Sequence, residues 1–248
     1  MKINFGIKQS LSSVNSYIDT GVPLSYFNDV IISYAPFITL IKLGFGTALL
    51  YKNEQLKNKV HQSKEQGILI CPGGTLFEII SHSHKIDEYI NWVCDTGFNA
   101  IEFSTGVYDI SDEIINTCVN KALDKHLKVL VEIGKKSPIE DEKISSEERA
   151  WKTNELMKLG CYKVIMEARE SGTLGIYDTQ GNVKPDFLND IIKNTDYNNI
   201  LFEAPHKSQQ AYLINQLGPE VGLANLAFSD ILSVTSLRYS LRADTIKS

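Results

Sequence analysis

The chain repeatedly ends a short apolar run on a carboxylate. "NAIEFS" (99–104), "LKVLVEIG" (127–134), "YKVIMEA" (162–168) and "NILFEA" (199–204) each carry a glutamate near the end of an otherwise apolar stretch. Four further runs lack the glutamate but share the length: "VNSYID" (14–19), "FITLIKLG" (37–44), "GILICPG" (67–73) and "VGLANLA" (221–227). Such runs are continuously apolar rather than alternating, the pattern of strands covered on both faces. Two-sided cover is the mark of a parallel sheet, and parallel neighbours are joined only by long crossovers, usually helices.

The intervening segments supply those helices. In "SDEIINTCVNKALDKH", Ser111 is placed to cap a helix whose first turn is acidic, and Ile114, Ile115, Cys118, Val119 and Ala122 recur at helical spacing. "EERAWKTNELMKLG" ends on Gly160, a residue suited to terminate a helix. Segments 24–35, 53–67, 85–97, 186–194, 208–218 and 228–242 complete the set. Eight strand–helix units in 248 residues predict one closed (β/α)8 TIM barrel, a single domain over residues 1–248. An open doubly wound sheet has fewer strands, and its nucleotide-binding members carry a glycine fingerprint after the first strand, absent here.

Composition removes several function classes. A formal charge of -5 argues against a general nucleic-acid binder. The four cysteines, Cys71, Cys94, Cys118 and Cys161, form no C-x-x-C pair, so neither a zinc site nor a disulfide scaffold is expected. The first residues lack the apolar core of a signal peptide, and no apolar run is long enough to cross a bilayer. A cytoplasmic protein with no membrane partner is expected.

In a (β/α)8 barrel the strand C-terminal ends converge on one face, and active sites are built there. Asp19, Lys42, Glu102, Glu132, Lys135, Glu167, Arg169, Glu203 and Asn225 all fall at or just beyond a predicted strand end. The glutamates thus read as one shared mouth rather than as accidents of loop composition.

At these positions the chain also resembles the phosphosulfolactate synthase family. The blocks "KLGFGT" (42–47), "PGGTLFE" (72–78), "EIGKK" (132–136), "EARESG" (167–172), "FEAPHKSQQ" (202–210) and "LRADT" (241–245) occur in that family's order and spacing. The resemblance implies a magnesium-dependent lyase with a TIM-barrel fold, adding sulfite to C3 of phosphoenolpyruvate to give phosphosulfolactate. The family also includes plant heat-stress-associated proteins, so a non-catalytic barrel is an alternative. Two positions depart from the pattern: Thr20 stands where the family has lysine, and Thr105 where it has a carboxylate. They leave open a related enzyme that joins a different nucleophile to a similar enol phosphate.

The resemblance gives the residues roles. Glu102, Glu132, Glu167 and Glu203 are the candidate carboxylates, with Glu167 and Glu203 assigned to Mg2+, which needs only one or two. Lys135, crowded by Lys136, is the expected general acid, acting with Glu132 and Glu102. Arg169 suits bidentate oxyanion binding, and Lys42 and Lys207 serve as point charges. Ser208, Gln209 and Asn225 lie after the seventh and eighth strands, where such barrels hold phosphate. A homo-oligomer is compatible with the sequence, which fixes no oligomeric state.

Overall fold

The structure, a computed structural model, describes residues 13–246. Eight parallel strands follow one another in chain order: β1 (Asn15–Asp19), β2 (Leu40–Leu43), β3 (Leu69–Pro72), β4 (Ala100–Ser104), β5 (Lys128–Ile133), β6 (Lys163–Met166), β7 (Ile200–Glu203) and β8 (Gly222–Ala227). Each falls inside its predicted run. The sheet order β3-β2-β1-β8-β7-β6-β5-β4 makes β1 and β8 partners and brings β3 beside β4, which is the (β/α)8 barrel expected from the repeat.

The helices are α1 (Leu24–Tyr34), α2 (Asn53–Glu65), α3 (Gly74–His82), α4 (Ile86–Thr96), α5 (Asp112–Asp124), α6 (Pro138–Asp141), α7 (Ser146–Leu159), α8 (Pro185–Asn194), α9 (Lys207–Leu217) and α10 (Ile231–Arg238). Ser111 caps α5 by accepting from the Ile114 N–H, and Gly160 ends α7 with a left-handed backbone. The α3 helix was not legible in the sequence, because it starts on a glycine pair that reads as a turn. No helix among the described residues is long and apolar enough to cross a membrane.

Inside the barrel the two-residue period of the strands stacks side chains in layers. Leu40, Cys71, Ala100, Leu130, Ile165, Leu201 and Ala224 form a buried apolar plug. Two residues further along β2, β4, β5 and β7, and just past the end of β6, come Lys42, Glu102, Glu132, Glu203 and Glu167, all nearly inaccessible to solvent. The outward residues between them, such as Ile41, Ile101, Val131, Met166 and Phe202, join the larger core under the helices.

One seam of the barrel is held by side chains. Among the described residues no backbone ladder joins β3 to β4. Asn99 bridges the gap at the lower end, accepting from the Ile70 N–H at 2.7 Å and donating to the Ile68 carbonyl at 3.2 Å. At the upper end Glu102 accepts from the Gly74 N–H at 2.9 Å. A Cβ on Gly74 would lie 2.6 Å from the Ser104 Cβ, so glycine is required for α3 to approach β4 this closely.

Asp19, expected at the mouth, is instead a structural anchor. Its carboxylate accepts from the Gly21 and Val22 N–H groups and the Tyr51 hydroxyl, and pairs with Lys59 at 2.5 Å. Lys59 lies on α2, fully buried, on the stripe that also carries Leu56, Val60 and Ser63. Removing one partner of such a pair leaves an uncompensated buried charge. Lys59→Met should therefore lower unfolding stability by roughly 3–5 kcal/mol, and adding Asp19→Asn should recover much of the loss. Denaturant unfolding checks both; a single variant as stable as the parent would show that the pair carries no such constraint.

Candidate active site at the barrel mouth

Lys42 stands at the centre of the upper layer. Its Nζ lies 3.4 Å from Glu102 Oε1, 3.5 Å from Glu132 Oε2 and 3.5 Å from Glu203 Oε1. A second ammonium, Lys136, enters from the loop after β5, 3.2 Å from Glu132 Oε1 and 2.5 Å from Glu167 Oε2. Above them a cavity of about 180 Å3 opens toward solvent, also lined by Phe45, Gly73, Gly74, Thr75, Arg169 and Asn225. Phe45, Arg169 and Asn225 have positive φ (55°, 63° and 59°), backbone that non-glycine residues seldom adopt and that concentrates where a fold holds a site in place.

Burial and charge act against each other in this layer. Burial alone would discharge Lys42, but Glu102, Glu132 and Glu203 outweigh it and hold the pKa well above the usual lysine value. Burial lifts Glu102 to about 7, against the pull of Lys42 and with the help of Glu132. Glu132 and Glu167 share the Lys136 ammonium. Burial favours protonation of both, but Lys136 and Lys42 hold Glu132 below the ordinary range, while Glu167 is raised by burial and by its neighbours Glu132 and Glu203. At Lys136 burial again works downward, and Glu132 and Glu167 outweigh it, so the pKa is raised rather than lowered.

A divalent cation fits the oxygens left over. Glu203 Oε2 accepts from the Ala168 N–H, and Glu167 accepts from the Arg169 N–H and from Lys136. Every oxygen of Glu132, Glu167 and Glu203 therefore has a partner. Glu102 Oε2 and Asn225 Oδ1 are buried with none. Among the described residues no three His, Cys, Asp or Glu side chains converge as a metal cage. Magnesium does not require one, since it retains waters and substrate oxygens. The unengaged oxygens are thus those of Glu102 and Asn225, while those of the expected Glu167 and Glu203 already have partners.

The structure gathers Lys42, Glu102, Glu132, Glu167, Arg169, Glu203 and Asn225 into one mouth and turns the other expected residues elsewhere. Lys135 donates to Asp109 Oδ1 at 2.6 Å and to the Thr105 carbonyl at 2.9 Å, away from the cavity. The cation that reaches Glu167 is Lys136, four residues after the inward Glu132. Lys207 pairs with Asp244 at 2.8 Å, and Ser208 is exposed outside the cavity lining. Gln209 is buried; it donates to the Gly172 and Gly181 carbonyls and accepts from the His206 N–H, bracing the β6–α8 loop. The N-terminus of α9 is thereby closed by its own capping box. The helix end that does reach the cavity is that of α3, through Gly73, Gly74 and Thr75.

Sequence comparison accords with this geometry. Residues 8–244 match the model of the family described as (2R)-phospho-3-sulfolactate synthase (ComA). The chain belongs to this family. It is 38% identical over 229 residues to a phosphosulfolactate synthase of Methanocaldococcus jannaschii, covering 92% of this chain and 91% of the relative. The phosphosulfolactate synthase of Bacillus subtilis is likewise 38% identical, covering 92% and 90%. Among solved structures, a 3-keto-L-gulonate-6-phosphate decarboxylase from Vibrio cholerae aligns with TM-score 0.57 at 11% identity, over 94% of this chain and 100% of the other. That similarity concerns the fold. Of the two departures from the phosphosulfolactate synthase pattern, Thr20 is exposed and Thr105 is buried, and neither lines the cavity.

The Glu102 value has a consequence for stability. Its folded pKa, about 7, lies above the ordinary glutamate value, so between the two the folded chain holds a proton that the unfolded chain releases. That contribution is present at low pH and is lost as pH rises from about 4.3 toward about 7. Glu102→Gln should flatten the decline in melting temperature between pH 5 and pH 8. An unchanged decline would place the proton on another group.

Proposed function

We propose that the chain adds sulfite to C3 of phosphoenolpyruvate, giving (2R)-phospho-3-sulfolactate in a magnesium-dependent carbon–sulfur bond formation. The observation that carries this reading is the pair of unengaged buried oxygens, Glu102 Oε2 and Asn225 Oδ1, set beside Lys42, Lys136 and Arg169 in one mouth. Family membership supports the product class. The substrates are anions and the mouth is itself rich in carboxylate, so added positive charge is needed before they can approach each other. Glu102 and Asn225 would hold magnesium, which would supply that charge and Lewis acidity toward the substrate carboxylate.

The chain's own residues perform the remaining steps. Arg169 at the rim receives phosphate oxygens. Sulfite sulfur donates its lone pair to C3, and the C2–C3 π pair moves onto C2 and the carboxylate. Lys136 then delivers a proton to C2, completing the addition with no leaving group. Glu167, in direct contact with Lys136, is placed to return the proton. Burial, Glu132 and Glu203 all favour the protonated form of Glu167.

Mass spectrometry of a mixture of the protein, sulfite, phosphoenolpyruvate and magnesium should detect phosphosulfolactate. Lys136→Ala should fold and lose turnover by about a hundredfold or more, whereas Lys135→Ala should stay within a few-fold, since only the former faces the cavity. Binding of phosphoenolpyruvate without product would favour a different nucleophile. Neither binding nor product would leave a non-catalytic barrel.

A further inference from the structure

The loops after β5 and β6 carry Lys136, Glu167 and Arg169, and they are tied together at two levels. At the cavity, Lys136 meets Glu167, and Arg169 Nη1 donates to the Lys136 carbonyl at 3.0 Å. Behind the cavity lies Asp141, the last residue of α6 and 4% exposed. Its Oδ1 accepts from the Lys135 N–H at 2.8 Å and its Oδ2 from the Gly175 N–H at 2.9 Å. One carboxylate therefore holds a backbone amide from each loop.

The carboxylate is itself fixed. Arg149, on the first turn of α7 and 1% exposed, donates from Nη2 to Asp141 Oδ1 at 2.6 Å and lies over the Phe187 ring of α8. Packing connects the pair to the reacting groups. A Cβ on Gly134 would lie 2.7 Å from Glu167 Cβ, 3.1 Å from Arg149 Nη1 and 3.2 Å from Asp141 Oδ1. A Cβ on Gly175 would lie 2.3 Å from the Glu167 carbonyl oxygen. With glycine at both points, the ion pair and Glu167 approach without an intervening side chain. A shift of Asp141 must move both loops.

We infer that Asp141, locked by Arg149, is a positioning residue that sets the spacing of Lys136 and Glu167 for proton delivery. This rests on the sulfite-addition reading for its kinetic consequence, though not for the clamp itself. Fixed geometry matters here because a misplacement of about 1 Å can cost on the order of a hundredfold in rate. A group that only stabilises the fold would change the amount of folded enzyme and leave its turnover alone.

The test is Asp141→Asn, which keeps the shape but cannot accept from both amides and Arg149 at once. Turnover per folded molecule should fall about tenfold to a hundredfold with KM changed less than about threefold, because the loss concerns a step after binding. Amide hydrogen exchange at Lys135 and Gly175 should accelerate by about tenfold or more while the strand cores keep their protection. If the single variant does not fold, Asp141→Asn/Arg149→Met, which leaves no charge buried, is measured in its place. Unchanged exchange overturns the inference whatever the turnover, and so does faster exchange with unchanged turnover. Exchange is read without substrate. Faster exchange in a protein whose parent makes no phosphosulfolactate would uphold the clamp and sink only the reaction.

Discussion

A lysine ammonium buried inside a barrel is tolerable only if carboxylates surround it, and carboxylates packed this densely are tolerable only around a cation. Lys42 and its three neighbours within 3.5 Å satisfy both conditions together. The mutual requirement explains why the upper layer is polar while the layer two residues below is built on an apolar cluster. It also explains the spread of proton affinities. Glutamates on neighbouring strands of one layer differ widely because each sees a different share of Lys42, Lys136 and backbone N–H donors. That spread lets one mouth hold both ionised and protonated acids near neutral pH.

The charge layer depends in turn on the irregular parts of the barrel. The β3–β4 seam is closed at the top by Glu102 itself, so the same carboxylate joins the barrel and faces the cavity. Its Oε1 serves the seam and Lys42, which leaves Oε2 without a partner. The loops that complete the mouth are held from behind by side chains outside it: Glu78 accepts from the Val107 and Tyr108 N–H groups, and Gln209 spans Gly172 and Gly181. Gln209 thereby braces the loop that carries the left-handed Arg169.

The two-residue period of the strands is the part of the site that can be read from the sequence. A glutamate ending a buried strand must face inward or outward, and alternation from Leu130, Ile165 and Leu201 puts Glu132, Glu167 and Glu203 inward. Nearness to the strand end favours Lys135 over Lys136, whereas the two-residue count from Leu130 and Glu132 reaches Lys136, the ammonium that meets Glu167. The polar run at 207–210 resembles a phosphate loop, yet Gln209 accepts from the His206 N–H at the start of its own helix and donates to the Gly172 and Gly181 carbonyls of the neighbouring loop. Lys59 could have been found: it shares a helical face with Leu56, Val60 and Ser63 in a segment otherwise polar throughout. The glycine pair that opens α3 hid a helix because its purpose, close approach to Ser104, is a contact across the seam.

The central claim is that a carboxylate-rich mouth accepts an anionic enol phosphate only together with a divalent cation. Isothermal titration of phosphoenolpyruvate into the protein, with magnesium and with a chelator, tests it most directly. Binding is expected with magnesium, and a loss of affinity of tenfold or more, about 1.4 kcal/mol, without it. Equal affinity in the two titrations would contradict the claim, since Lys42, Lys136 and Arg169 would then suffice to hold the anion on their own.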